Sequence, residues 1–214
     1  MTRDPDTIDL SPEADTARRI AAVRDKARDC ARCPLFEIGT QTVFGCGPVD
    51  AQLMFIGEAP GQQEDESGTP FVGKAGQVFA EALAEAGIDR ERVYVTNAVK
   101  HRPWVRSPSG RRKNRPPKQS EINACAPWLD RELEIVAPRI ICCLGAVAAK
   151  RILGRSFRLM EQRGEWFETE AGQDVLATVH PSFVMLQRPE ARELWMETLV
   201  ADLRDAAERS RRHA

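Results

Sequence analysis

The sequence lacks any apolar run long enough to span a bilayer, and its opening residues, MTRDPDTIDLSPEAD, are acidic and polar. A membrane partner and a secretory leader are not expected, and a cytoplasmic setting is. No internal repeat is present, and apart from one basic stretch and the RSRRHA tail there is no low-complexity segment. A further absence lies at position 75. Gly68 to Lys74 spells G-x-x-x-x-G-K, yet Ala75 stands where a phosphate-cradling loop needs Ser or Thr to hold magnesium, and Gly68 lies twelve residues past Ile56. A nucleotide triphosphatase, and with it a nucleotide cofactor, is set aside. Acidic residues are missing altogether from Tyr94 to Ser120, where Lys100, Arg102, Arg106, Arg111, Arg112, Lys113, Arg115 and Lys118 fall. The net charge of −1 hides this local polyanion signal.

The 214 residues, 42% of them apolar, suffice to bury the core of one sizeable domain without disulfide staples. Residues 1–10 read as disordered and 11–210 as a single domain, opened by Ser11-Pro12 as a helix cap and first turn and running to about Arg28. Apolar runs predict strands at 52–57, 92–96, 139–144 and 174–179, and helical spacing predicts helices at 74–87, 119–136, 145–153 and 189–210. This alternation implies an α/β fold, a three-layer α/β/α arrangement around a mostly parallel sheet. Gly57 and Glu58 then follow the first strand, Asn97 the second and His180 the fourth, all at the carboxyl edge where such sheets hold ligands.

Six cysteines in a cytosolic chain read as metal ligands or buried thiols. Cys142 and Cys143, inside RIICCLG, read as core, and Cys46 has no partner at ligand spacing. Cys30 and Cys33 form C-x-x-C and Cys125 stands alone in a helical stretch, so three thiols make an incomplete site.

GEAPG, EDESGTPFVGKAG, TNAVK and HPS, in that order between Cys30 and about residue 205, together resemble the iron-sulfur uracil-DNA glycosylases, both family 4 and the X-type group. The resemblance implies a single α/β domain that excises uracil from DNA and leaves an abasic site, with a [4Fe-4S] cluster away from the pocket. An enzyme that breaks a base's glycosidic bond must extrude the nucleotide and hold it closely. Phe71 resembles the stacking aromatic, and Asn97 offers one donor and one acceptor, which matches uracil and mismatches cytosine. His180 is similar to the histidine that supports the oxygen on which charge develops as uracil leaves. Glu58 is a carboxylate able to position water and balance an oxocarbenium-like sugar, with Glu64 and Asp65 as acidic alternatives that pin the loop instead. Gly57, Glu58 and Ala59 supply backbone N–H groups to the base.

In the register of the X-type group, TN-x-VK is followed by histidine, so the resemblance completes the metal set as Cys30, Cys33, His101 and Cys125, holding a [4Fe-4S] cluster or, as the alternative, zinc. The basic loop at 102–118 is similar to the X-type loop KRRIHKTPS, whose histidine becomes covalently attached to the deoxyribose. Here Asn114 takes that place, and an amide is no nucleophile. Uracil release without a stable adduct is expected, the alternatives being a catalytically weak binder of uracil or abasic DNA, or an X-type covalent binder under a different loop register. Arg111, Arg112, Lys113, Asn114 and Ser182 are the expected contacts to single- or double-stranded DNA, made by a monomer.

Overall fold

The computed structural model describes residues 12–212; the disordered stretch expected at 1–10, the Ser11 cap and His213 lie outside these. The elements run α1 (Pro12–Arg28), α2 (Leu35–Ile38), β1 (Leu53–Gly57), α3 (Gln62–Ser67), α4 (Lys74–Glu85), β2 (Tyr94–Asn97), β3 (Trp104–Arg106), β4 (Arg112–Asn114), α5 (Gln119–Val136), β5 (Ile140–Leu144), α6 (Ala146–Leu153), α7 (Leu159–Gln162), β6 (Trp166–Glu168), β7 (Asp174–Thr178), α8 (Pro181–Met185) and α9 (Pro189–Arg212). The central sheet has the order β2-β1-β5-β7-β6. Every pairing from β2 across to β7 is parallel, and β6 closes the edge antiparallel to β7.

Alternation along β1 explains the three layers. Leu53 and Phe55 face one side, with Phe79, Leu83, Leu199 and Leu203, while Met54 and Ile56 face the other, with Ile20, Leu129 and Phe157. A strand with apolar cover on both faces must be apolar throughout, which is why LMFIG and IICCL carry no alternation and are wholly buried. Cys142 and Cys143 are part of this core, one on each side. Cys46 sits outside it, in an antiparallel bridge with Val95 and 3.4 Å from Arg90 Nη2.

Besides α2, α7, α8 and the edge strand β6, where no element is read from the sequence, two regions differ from the sequence-based expectation. The glycine-rich connection after β1 contains the short helix α3, ended by Gly68 in the left-handed conformation. The basic loop is an ordered β3–β4 hairpin with Trp104 opposite Asn114. Arg112 lies 4.6 Å above the Trp104 ring, and the indole N–H donates to Ile38 O at 2.7 Å, docking the hairpin on α2. Neither feature has the apolar periodicity by which elements are read, because both are held by contacts made at a distance in sequence.

Candidate active site

The carboxyl ends of β1, β2 and β7 open on a cavity of about 970 Å³ whose lining includes Glu58, Phe71, Asn97, Asn114 and His180. Gly57, last in β1, pairs in register with Asn97, last in β2. A Cβ at Gly57 would lie 2.4 Å from Asn97 Oδ1 and 2.5 Å from Phe71 Cζ, so ring and amide meet above a residue that has to be glycine. The Phe71 ring is in turn 6.1 Å from the His180 imidazole, the planes inclined by 31°. Three residues carried by separate segments therefore face one slot.

Phe71 has φ +58, in the left-handed region that costs a side-chain-bearing residue on the order of 1 kcal/mol or more. Its surroundings enforce that conformation. The ring packs 5.0 Å from Phe79, and the Phe71 carbonyl oxygen would be 2.0 Å from any Cβ at Gly76 in the first turn of α4. Glu64 Oε1 accepts from Gly73 N–H at 2.7 Å, and Asp65 accepts from the Thr40 amide and hydroxyl, each at 2.8 Å. Both acids pin the loop. The Gly73 amide thus serves a carboxylate, as a phosphate-binding loop's amide would not.

Asn97 is 2% exposed, and its side-chain amide has no hydrogen-bond partner among the described residues. The amide atoms are not sealed in the core: they open on the cavity, where a bound group can pair with them. The Glu58 carboxylate also lines the cavity, and burial raises its pKa above the ordinary carboxylate range. The Glu58 carbonyl accepts from Val99 N–H at 3.1 Å and the Gly57 carbonyl from Ala98 N–H at 2.9 Å, which fixes β1's exit against β2's. Ala59 lies against the third apolar cluster and on the cavity wall.

His180 caps α8: its Nδ1 accepts from Ser182 N–H at 3.1 Å, with Pro181 at the first helical position. The Ser182 hydroxyl is 2.8 Å from the same nitrogen. An acceptor Nδ1 carries no proton, so the neutral ring bears it on Nε2. Burial pushes the imidazole pKa down to about 4, which keeps the ring neutral near pH 7. Ser182, expected on DNA, is seen here orienting the imidazole.

Asn114, at the end of β4, is among the residues that line the cavity. Its Oδ1 accepts from Arg102 Nε at 2.7 Å, which leaves the Nδ2 donors for the cavity side. Of the eight cations without acidic neighbours in sequence, three are spoken for. Lys100 is paired with Glu132 with both side chains at 0% exposure, Arg115 makes a two-pronged bond to Glu121 at 2.6 and 2.8 Å, and the buried Arg102 holds Asn114. Arg106, Arg111, Arg112, Lys113 and Lys118 remain exposed. Glu132 escaped sequence reasoning, although a carboxylate among Cys125, Leu129 and Val136 on one apolar stripe of α5 was a signal that it had a buried cationic partner.

The three thiols of the incomplete set share one neighbourhood between α1, α2 and α5. Trp128 Nε1–H donates to Cys30 Sγ at 3.1 Å and Lys100 N–H to Cys125 Sγ at 3.2 Å. Burial pushes the Cys125 thiol up to about 11, opposed by Lys100 and reinforced by the nearby Cys30 and Cys33. Cys125 also packs with Leu35, Val99 and Ile122, and Cys33 borders that cluster. N–H groups aimed at sulfur suit thiolate ligands. His101 is buried beside Gly39, and no three His, Cys, Asp or Glu side chains among the described residues are gathered closely enough to hold a metal ion. The set is thus represented by three neighbouring thiols, each sulfur in its own packing environment.

A doubly covered parallel sheet thus brings an aromatic ring, an unpaired amide and a neutral imidazole to one slot, a set of groups of the kind that can receive a planar heterocycle. The chain belongs to the uracil-DNA glycosylase superfamily, whose sequence pattern, described as "Uracil DNA glycosylase superfamily", matches residues 44–204. It is 37% identical over 179 residues to the type-4 uracil-DNA glycosylase of Thermotoga maritima, covering 83% of this chain and 89% of the relative. It is 39% identical over 171 residues to the type-4 enzyme of Archaeoglobus fulgidus, covering 77% and 81%. The crystal structure of wild-type Pedobacter heparinus SMUG2 shares the fold with a TM-score of 0.54 at 13% identity, covering 74% of this chain and 77% of that one.

Proposed function

We propose that the protein is a uracil-DNA glycosylase that hydrolyses the N-glycosidic bond of deoxyuridine in DNA, releasing uracil and leaving an abasic site for base excision repair. The observation that carries this reading is the meeting of Phe71, Asn97 and Gly57 beside His180. An extruded uracil stacks on Phe71, while the Asn97 amide accepts from its ring N–H and donates to a carbonyl oxygen. His180, with Nδ1 engaged by Ser182, donates from Nε2 to the oxygen on which negative charge collects as the bond breaks. The neutral ring still carries this Nε2–H, so the bond can be given without an imidazolium. Glu58 orients the attacking water and offsets positive charge on the sugar, for which it must be ionised.

Asn114 lines the cavity and its amide is no nucleophile, so water rather than the protein completes the reaction. The exposed Arg106, Arg111, Arg112 and Lys113 of the hairpin hold the phosphates on either side of the extruded nucleotide. Cys30, Cys33, Cys125 and His101 would hold a [4Fe-4S] cluster, with zinc as the other occupant of such a donor set. When bound it supplies a structural tie between the end of α1 and the root of the hairpin. Incubation of the protein with an oligonucleotide bearing one uracil, single-stranded and duplex, should yield free uracil and an alkali-labile strand, and Asn97→Ala and His180→Ala should lose most of that yield. A wild-type protein that releases no uracil from either substrate would overturn the proposal.

A further inference from the structure

We infer that the buried Lys100–Glu132 pair is a positioning device for Asn97, setting the angle at which the base-reading amide enters the slot; the inference rests on the reading of the site as a uracil slot. Lys100 Nζ has three donors, and each has a partner: Thr96 Oγ1 at 2.6 Å, the Asn97 carbonyl oxygen at 2.9 Å and Glu132 Oε2. Glu132 is equally saturated. Its Oε1 accepts from Gly45 N–H at 2.8 Å and from the Tyr94 hydroxyl at 3.1 Å, and its Oε2 accepts from the Thr96 hydroxyl at 2.9 Å as well as from Lys100. The Lys100 backbone is tied at both ends too, its N–H on Cys125 Sγ and its carbonyl accepting from Val43 N–H at 2.7 Å. Lys100 therefore works as a bracket between α5, the loop before β1 and the tip of β2.

A contribution to stability does not account for this arrangement. Two charges at 0% exposure carry a large desolvation cost, and apolar side chains of the same volume hold a core at least as well. What an apolar pair cannot do is grip a carbonyl oxygen from a fixed direction. The gripped oxygen belongs to Asn97, whose side chain has no partner among the described residues to set its rotation and whose Oδ1 sits hard against Gly57. A tilt of the 97–98 peptide would carry the amide toward Gly57 or out of the plane of the base. Lys100 is not itself among the residues that line the cavity and reaches it only through its bond to the Asn97 carbonyl, so it is a positioning residue.

The test is a double-mutant cycle. Lys100→Met combined with Glu132→Gln removes both charges with little change of volume, and Thr96→Val removes one arm of the bracket in case the first variant does not fold. Each is made in the wild-type and in the Asn97→Ala background, and kcat/KM for uracil release is measured beside the affinity for free uracil. Misplacement of a binding group by about 1 Å costs on the order of 100-fold in rate. The charge-free variant should therefore lose about tenfold to 100-fold in kcat/KM and weaken free uracil in the wild-type background, and lose less than about twofold once Asn97 is alanine. Thr96→Val should show the same non-additivity at smaller amplitude. Equal losses in both backgrounds would assign the pair to general structure and overturn the inference while leaving the slot intact. A wild-type protein that neither releases nor binds uracil would overturn the reading of the site instead, and this inference with it.

Discussion

Adding one methyl group at Gly57 tests the geometry on which the site depends. In Gly57→Ala the new Cβ would stand 2.4 Å from Asn97 Oδ1 and 2.5 Å from Phe71 Cζ, where ordinary contact begins near 3.4 Å, so each atom must retreat by about 1 Å. Neither has free room. Asn97 is 2% exposed with its backbone held by Lys100, and the Phe71 ring backs onto Phe79 at 5.0 Å. Overpacking of this kind costs about 1–3 kcal/mol, a modest part of a domain's stability, so the variant should still fold cooperatively with a lowered Tm. Its effect on the reaction should be larger, because stacking and amide reading are disturbed together: a misplacement of about 1 Å corresponds to a loss of about 100-fold. The assay is uracil release from a uracil-bearing oligonucleotide under single-turnover conditions, with thermal unfolding measured on the same preparation. A Gly57→Ala protein with kcat/KM within about threefold of wild type would refute the convergence of Phe71 and Asn97 at this point.

Three further outcomes are expected. With the His180 pKa pushed down to about 4 by burial, kcat/KM should show no inflection near pH 6.5; its acid limb should follow Glu58, whose carboxylate is lost as pH falls through a pKa raised above the usual range. An inflection near pH 6.5 that vanishes in His180→Gln would contradict the neutral imidazole. Replacing Arg111, Arg112 and Lys113 together by Ala should weaken DNA binding and flatten the plot of log affinity against log salt by about 0.7–0.9 for each phosphate no longer neutralised, read by fluorescence anisotropy across a salt series; an unchanged slope would remove the hairpin from the interface. Asn114→His puts an imidazole at the base of the hairpin, on the cavity lining, and should yield a heat-stable protein–DNA species on a denaturing gel where the wild type yields none; its absence would put position 114 out of reach of the sugar.

The four parallel strands and the long helices were legible in the residues because each has a local pattern. QLMFIG, RIICCL and DVLATV are continuous apolar runs, and α5 and α9 repeat apolar residues at helical spacing, so their places in the fold followed within a residue or two. The β3–β4 hairpin and α3 were not legible. RPWVRSPSGRRKN has no period, and it is ordered by Arg112 on Trp104 and by the indole's bond to α2, contacts no local pattern announces. The cations show the same limit. Lys100, Arg115 and Arg111 look alike in a stretch without acids, yet the first is closed in by a carboxylate on α5, the second is clamped by Glu121 and the third is free to meet phosphate.

By itself, then, the sequence determined which segments become the parallel strands and the long helices and which side chains stand at the sheet's carboxyl edge, since burial on both faces and helical period are written along the chain. Only the tertiary structure decided that Phe71 bends over Gly57 at a positive φ, that the Asn97 amide is left for a ligand while its carbonyl is gripped by Lys100, and that Ser182 takes the proton-free side of His180. Those relations span separate strands and loops. They depend on distances across the sheet and on which donors the folded chain has already used, quantities that exist only once the layers have packed.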